Sequence, residues 1–240
     1  MVLSNISCIN RFLMQNCDVT FWQKLLDFVY PRICVGCGKE GVFLCDECFT
    51  GLEIAEQMCP MCGRGSAFGW THKQCLREDG MEGLICLYSY EDQTVKKAVD
   101  ELKFGFNREM VNLLLKDFVF ESGMMFDAIV PVPLYFYREN WRGFNQAELI
   151  AREVGKRMSV EIGNYLNRKR NTKQQSTLEA RQDREVNMRG SFRAIDAKKI
   201  RRGRFLLVDD VFTSGASMRE AARELKRAGA DTVWGLALAH

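Results

Sequence analysis

The chain has 240 residues, 47% hydrophobic and 27% charged, with a formal net charge of +3. That length holds one full α/β domain of roughly 150 residues plus a small accessory module. No run of eighteen apolar residues occurs, so no membrane-spanning helix is expected.

The ten cysteines would suit a disulfide-stapled secreted protein, but their spacing points elsewhere. Seven fall between Cys34 and Cys75, mostly as Cys-x-x-Cys pairs, which reads as metal ligation in a reducing cytoplasm. Charge is also unevenly placed. Arg168 to Arg204 carries thirteen Lys or Arg against four Asp or Glu, a local excess of +9, so the remainder of the chain is acidic. One basic segment on an acidic body points to a local polyanion site.

The opening MVLSNISCINRFLM lacks a basic start followed by an uninterrupted apolar run, so it does not read as a signal peptide. Residues 1–20 read as a disordered leader, or in part as upstream sequence if translation begins at Met14. Thr20 to Pro31 reads as a short amphipathic helix, with Trp22, Leu25, Leu26 and Val29 on one face and Pro31 as its stop.

A metal module follows, and residues 21–82 are assigned to it. Cys34-Val-Gly-Cys37-Gly and Cys45-Asp-Glu-Cys48 form one doubled knuckle pattern. Cys59-Pro-Met-Cys62-Gly and His72-Lys-Gln-Cys75 form another, with His72 standing where a cysteine would usually be. Each set fills the four positions of a structural Zn²⁺ site and leaves none for water. The spacing leaves open one zinc or two, and whether the pairs bind in sequence or cross over, Cys34 and Cys37 joining Cys59 and Cys62. Cys8, Cys17 and Cys86 lack ligand spacing, and Cys86 reads as a core residue.

Residues 83–240 alternate apolar strands with helical patterns. Strands are expected over GLICLYSY, FDAIVPVP, Phe205–Val208 and TVWGLALA. Helices are expected over EDQTVKKAVDELKF, Glu109–Phe120, FNQAELIAREVGKRM and Ser217–Ala228. The fold class is therefore α/β, a parallel sheet with helices on both faces, plus the small N-terminal zinc module. Ligands of such sheets bind at the C-terminal ends of strands. There the two polar turns, after Val130 and after Val208, line one crevice.

The second turn, FLLVDDVFTSGAS from Phe205 to Ser217, carries the most chemistry. Asp209 and Asp210 close a buried strand, and Thr213, Ser214, Gly215, Ala216 and Ser217 open a helix. Small residues let the backbone approach an anion, and the helix N-terminus favours one. A phosphate cradle beside two diol acceptors suits a ribose 5-phosphate; a capped turn with surface acids is the bland alternative. The first turn, Pro131, Val132, Pro133, Leu134 and Tyr135, is stiffened by its two prolines. Three more cations are candidate anion contacts: Lys103 at a helix end, Arg142 before Asn145, and Arg181 in the basic segment. Lys103 reads equally well as a solvated lysine complementing a helix dipole. The basic segment itself reads as a loop with a short helix near Glu179–Met188. It reads as a lid over an anion, as a track for a nucleic-acid backbone with Trp141 and Phe144 as stacking aromatics, or as a plain solvated loop.

The strand–turn–helix motif resembles the signature of the type I phosphoribosyltransferases, which bind phosphoribosyl pyrophosphate (PRPP) and magnesium. The Pro-Val-Pro turn resembles the pyrophosphate loop of amidophosphoribosyltransferase, with Leu134 and Tyr135 replacing small polar residues. The order of CxxCG knuckles, VPVP, RGFNQA, NMRGSF and VDDVFTSGAS resembles the ComF family of competence-associated proteins from about Trp22 onward. The resemblance implies a bacterial cytoplasmic protein with a zinc finger on a type I phosphoribosyltransferase fold, linked to handling DNA in natural transformation. It implies that Asp209 and Asp210 hold ribose hydroxyls, directly or around Mg²⁺, that Thr213 to Ser217 wrap the 5-phosphate, and that Pro131 to Tyr135 meet the pyrophosphate. PRPP or a related ribose phosphate is the implied ligand. The competing expectation is a non-catalytic single-stranded DNA-binding adaptor that uses the same site as a switch, with a competence helicase as candidate partner.

Overall fold

The structure, a computed structural model, describes residues 31–104, 108–120, 123–134, 144–169 and 186–240, and for Lys103 and Phe104 the backbone alone. The leader, the body of the Thr20–Pro31 helix, Cys8 and Cys17 lie outside the described residues.

The strands are β1 (Gly83–Tyr88), β2 (Ala128–Pro131), β3 (Leu166–Arg168), β4 (Phe192–Ala194), β5 (Arg204–Val211) and β6 (Thr232–Ala239). Four of them form one parallel sheet in the order β1-β6-β5-β2, while β3 and β4 pair as a separate antiparallel ribbon. β5 and β6 lie at the centre, and their near-continuous apolar runs follow from burial on both faces.

The helices are α1 (Asp46–Thr50), α2 (Gln93–Phe104), α3 (Arg108–Leu114), α4 (Gln146–Met158), α5 (Ala197–Ile200) and α6 (Ala216–Arg227). Side-chain alternation along the strands divides the core in two. Leu206, Val208, Trp234 and Leu236 face α2, α3 and α4. Phe205, Leu207, Val233 and Ala237 face α6 together with Met188 and Phe192. The expected parallel sheet with helices on both faces is what forms.

Two elements differ from the sequence pattern. The Glu109–Phe120 helix stops at Leu114. Phe120 then sits edge-on to Phe118 at 6.5 Å and to Phe126 at 5.2 Å, so aromatic packing takes the chain out of the helix. The basic segment is not all loop: its ends form the β3–β4 ribbon, anchored by Leu166 and the fully buried Phe192. Of the helix expected near Glu179–Met188, residues 186–188 make one turn and 179–185 lie outside the described residues.

The N-terminal module covers the free edge of β1. Ala55 donates its N–H to the Leu87 carbonyl at 3.0 Å, and Ser89 donates to Glu53 at 2.8 Å. Beside them, one residue before Leu87, the Gln57 amide mimics a peptide, donating to the Cys86 carbonyl at 2.7 Å and accepting from its N–H at 3.2 Å. An edge so capped is closed to pairing with another chain. Trp70 then packs edge-on against Trp234 with ring centroids 4.6 Å apart. Gly83 makes room for this contact, because a Cβ there would lie 2.4 Å from the Trp234 ring. Replacing Gly83 by Ala should cost about 1–3 kcal/mol through overpacking, read as a lower urea midpoint at unchanged slope.

Candidate zinc centres and anion crevice

The two knuckles are built alike. Gly38 and Gly63, at φ +78° and +75°, follow the second cysteine of each pair. Their N–H groups donate to the Cys34 and Cys59 carbonyls, each at 2.9 Å. That geometry requires glycine and aims both sulfurs of a pair to one side. The ligand atoms of Cys34, Cys37, Cys45 and Cys48 lie within 4.8 Å of one another, as do those of Cys59, Cys62, His72 and Cys75. The pairs therefore bind in sequence rather than crossing over, and the described residues hold two sets.

Zinc fits both sets. The Cys45 sulfur is 3.7 Å from those of Cys34 and Cys37. Tetrahedral Zn–S bonds of about 2.3 Å require sulfurs about 3.8 Å apart. In the second set His72 turns Nδ1 to within 3.4 Å of the Cys62 sulfur, while Nε2 lies 3.1 Å from the Gly65 carbonyl. Donation from Nε2 to that carbonyl leaves Nδ1 free as the ligand. Burial pushes the Cys34 thiol up, but the N–H groups of Cys37, Cys45 and Gly36 outweigh it and bring the thiol down to about 6. The N–H and side chain of Arg64 lower Cys62 to about 6. One sulfur in each set is thus prepared as a thiolate. Cys48 is held up to about 12, first by its hydrogen bond with Cys45 and then by burial, so metal binding must release its proton. Cys86 is a buried core residue, as its sequence context implies.

The anion crevice lies at the C-terminal ends of β5 and β2. Pro131 pairs with Val208 across the sheet, and Val132 donates to the Val208 carbonyl at 2.9 Å. Both turns therefore leave the sheet side by side. After Val211 the chain turns through buried Phe212 and exposed Thr213 into buried Ser214 and Gly215. Gly215, at φ +71°, is the N-cap of α6, and the Ala216 N–H lies 3.4 Å from the Ser214 hydroxyl. A Cβ at Gly215 would fall 2.2 Å from the Phe212 ring, so Phe212 is the floor on which the turn rests. The first N–H groups of α6 open at this turn, an arrangement suited to a phosphate.

Asp209 and Asp210 are half-buried beside it. Each carboxylate accepts from the next backbone N–H: Asp210 N–H donates to Asp209 at 3.0 Å and Val211 N–H to Asp210 at 2.7 Å. Burial, and then the adjacent Asp210 charge, hold Asp209 well above the usual carboxylate range. Positive charge from Arg168 opposes this. Arg168 ends β3 with its guanidinium 5.5 Å above the Phe192 ring. It is a crevice residue that the sequence marks only as one cation among thirteen.

Asn145 is a second crevice residue. Its side chain caps α4 by accepting from the Ala147 N–H, and it donates to the Val132 carbonyl at 3.1 Å, pinning the Pro-Val-Pro turn. A third is Arg219, 8% exposed, which donates to the Ser214 carbonyl at 2.6 Å and to the Pro60 carbonyl at 2.9 Å. Of the remaining candidates, Pro133 and Leu134 follow Val132 in the turn, while Tyr135, Arg142 and Arg181 lie outside the described residues. The Lys103 backbone lies in the last turn of α2, and its side chain is outside the described residues. Among the described residues no helix is long and apolar enough to cross a membrane.

Residues 25–78 match the family model of the double zinc ribbon domain. The chain is 30% identical over 200 residues to the DNA utilization protein YhgH of Salmonella typhimurium, covering 79% of this chain and 87% of that one. It is also 27% identical over 220 residues to competence protein F of Haemophilus influenzae, covering 86% and 90% of the two chains. The chain belongs to the ComF family. Competence protein ComFC of Bacillus subtilis is a further relative, 28% identical over 198 residues, 78% of this chain and 79% of that one. Among solved structures, that of the allosteric regulatory enzyme of purine biosynthesis aligns with a TM-score of 0.35 at 18% identity, over 58% of this chain and a quarter of its own length (25%). In this ComF-family chain, the double ribbon coincides with the two ligand sets.

Two measurements test this geometry. Elemental analysis of the purified protein should give two zinc ions per chain, and Cys75→Ser should give one. The raised proton affinity of Asp209 fixes the sign of a pH effect. Its stabilisation is complete below the unfolded carboxylate value of about 3.9 and is lost as pH rises through the folded value. Asp209→Asn should therefore raise the urea midpoint at pH 7 and give no gain near pH 3.

Proposed function

We propose that this ComF-family protein binds PRPP together with Mg²⁺ in the crevice, in the cytoplasm, and transfers the phosphoribosyl group to an acceptor in the handling of incoming DNA. The observation that carries this reading is the adjacency of three parts. They are the Asp209–Asp210 pair, the Gly215 turn at the N-terminus of α6, and the Pro131–Leu134 turn on the neighbouring strand. An Asp209 carboxylate whose charge is opposed by burial and by the adjacent Asp210 needs a partner, and ribose hydroxyls or a divalent cation supply it. Magnesium, when bound, neutralises pyrophosphate and improves it as a leaving group.

The side chains and backbone do the rest by position. The N–H groups from Ser214 to Ser217 hold the 5-phosphate, and Thr213 offers its hydroxyl. Asp209 and Asp210 fix the ribose, so that C1 faces the crevice mouth. As the C1–O bond to pyrophosphate loosens, its electron pair leaves with pyrophosphate and an acceptor lone pair forms the new bond to C1. The two carboxylates stabilise the positive charge that grows on the ribose in between. Support for the biological setting comes from relatives named for competence and DNA utilization.

A second reading, a single-stranded DNA adaptor that uses the crevice as a switch, is favoured by the +9 segment. Calorimetry on zinc-replete protein separates the two. Mg²⁺-dependent PRPP binding that disappears in the Asp209→Ala, Asp210→Ala double variant supports the transferase site; binding retained in that variant removes it. No PRPP binding in the wild type, with DNA binding that falls steeply with salt and collapses when Arg168, Lys169 and Arg170 are reversed to Glu, supports the adaptor.

A further inference from the structure

The second zinc ribbon and the anion turn meet through one buried side chain. Arg219 reaches from the first turns of α6 in two directions. One arm donates to the carbonyl of Ser214, inside the turn, and the other to the carbonyl of Pro60, between the metal ligands Cys59 and Cys62. A guanidinium that is 8% exposed needs such acceptors to satisfy its N–H groups away from water. Its contact with the turn is close, because a Cβ on Gly215 would lie 2.6 Å from its Nη1.

The rest of α6 is joined to the same module by a row of side chains at helical spacing. Arg223 pairs with Asp79 at 3.2 Å, and Lys226 pairs with Glu82, which also accepts from the Val233 N–H at 2.7 Å. A cavity of about 280 Å³ separates the two bodies beside this row, with Cys62 and Cys75 on one wall and Ala216 and Glu220 on the other. The first ribbon makes its polar contacts elsewhere, Asp46 with Lys116 at 2.7 Å and Arg32 with Glu109 at 3.4 Å.

We infer that metal in the Cys59–Cys62–His72–Cys75 set, and not in the first set, holds the Ser214–Ala216 turn in its anion-binding shape through the positioning residue Arg219. The physical chain is short. Four-coordinate metal fixes the Cys59–Cys62 knuckle and with it the Pro60 carbonyl. That carbonyl fixes one end of the guanidinium, and the other end fixes the Ser214 peptide. Without the knuckle the guanidinium loses the fixed Pro60 acceptor and the turn loses its outer brace. Arg223 and Lys226 still seat α6, so the effect stays in the turn. By linkage an anion bound in the turn must in return tighten metal in that one set. The ligand side of this inference rests on the phosphate reading of the crevice; the coupling itself does not.

The test uses full-length, zinc-replete protein, with two readouts: hydrogen exchange at the amides of residues 214–216 and calorimetric binding of PRPP with Mg²⁺. Arg219→Gln keeps both ligand sets. It should speed exchange at the turn about tenfold or more and weaken PRPP about tenfold, with residues 221–227 exchanging as in the wild type. Cys75→Ser should do the same, while Cys37→Ser in the first set should leave the turn unchanged. Wild-type exchange at the turn in Arg219→Gln, or equal loosening by Cys37→Ser and Cys75→Ser, would overturn the coupling. So would exchange rising uniformly across the sheet in Cys75→Ser, because the second ribbon would then serve general folding. A wild type that binds no PRPP while the variants still loosen the turn would sink the phosphate reading alone and leave the coupling standing.

Discussion

Burial of β5 and β6 on both faces governs where this protein can do chemistry. A strand covered by α4 on one side and α6 on the other has no room for a ligand along its length. Polar groups are confined to the strand ends, where backbone pairing stops and a helix begins. Asp209 and Asp210 occupy that boundary, and the same boundary exposes the first N–H groups of α6. The carboxylates and the cradle are therefore neighbours because the sheet leaves no other place for them. The cost is visible at Asp209, whose charge is opposed by burial and by Asp210. A residue selected for stability alone would not carry that charge there, so the pair is best understood as awaiting a partner.

The double ribbon solves two problems of the fold at once. β1 would otherwise present a free edge, and the Gln57 amide and the Ala55 and Glu53 backbones close it. The helix α6 otherwise rests on the sheet and the β3–β4 ribbon, and Arg219, Arg223 and Lys226 fasten its outer side to the second zinc ribbon. So small a module has little apolar interior of its own, and its rigidity is best supplied by metal. The rigidity is useful only if it reaches the sheet, and the Trp70–Trp234 contact with Gly83 beneath it provides that path.

Much of this was legible in the sequence because it is written in local patterns. The knuckles follow from Cys-x-x-Cys-Gly spacing, the four core strands from apolar runs, and the anion turn from small residues placed between a strand and a helix. What escaped depends on contacts far apart in sequence. Arg219 lies in MREAARELKRAG as one more polar residue on an amphipathic helix, and nothing local says that its partner is Pro60, 159 positions earlier. The β3–β4 ribbon escaped because Leu166–Arg168 and Phe192–Ala194 are too short and too charged to show alternation. The end of α3 escaped because apolar residues continue past Leu114 to Phe120, and nothing local shows that the Phe120 ring packs on Phe118 and Phe126 instead of extending the helix. The choice between sequential and crossed metal sets has no signature in spacing at all, since either satisfies four-fold coordination.

An anion site made of backbone N–H groups is only as good as the backbone is fixed. Unlike a lysine, which can follow a phosphate by rotating its side chain, a turn binds by being already in place, and disorder there is paid for directly in affinity. The Ser214–Ala216 turn has Phe212 beneath it and α6 after it, but its outer side faces the second ribbon. A small metal-fixed module is an economical support for that side, because four ligand bonds replace the hydrophobic core that a larger domain would need. On this view the ribbon is attached where the crevice needs it, and Arg219 is the point at which metal coordination and anion recognition become one structural problem.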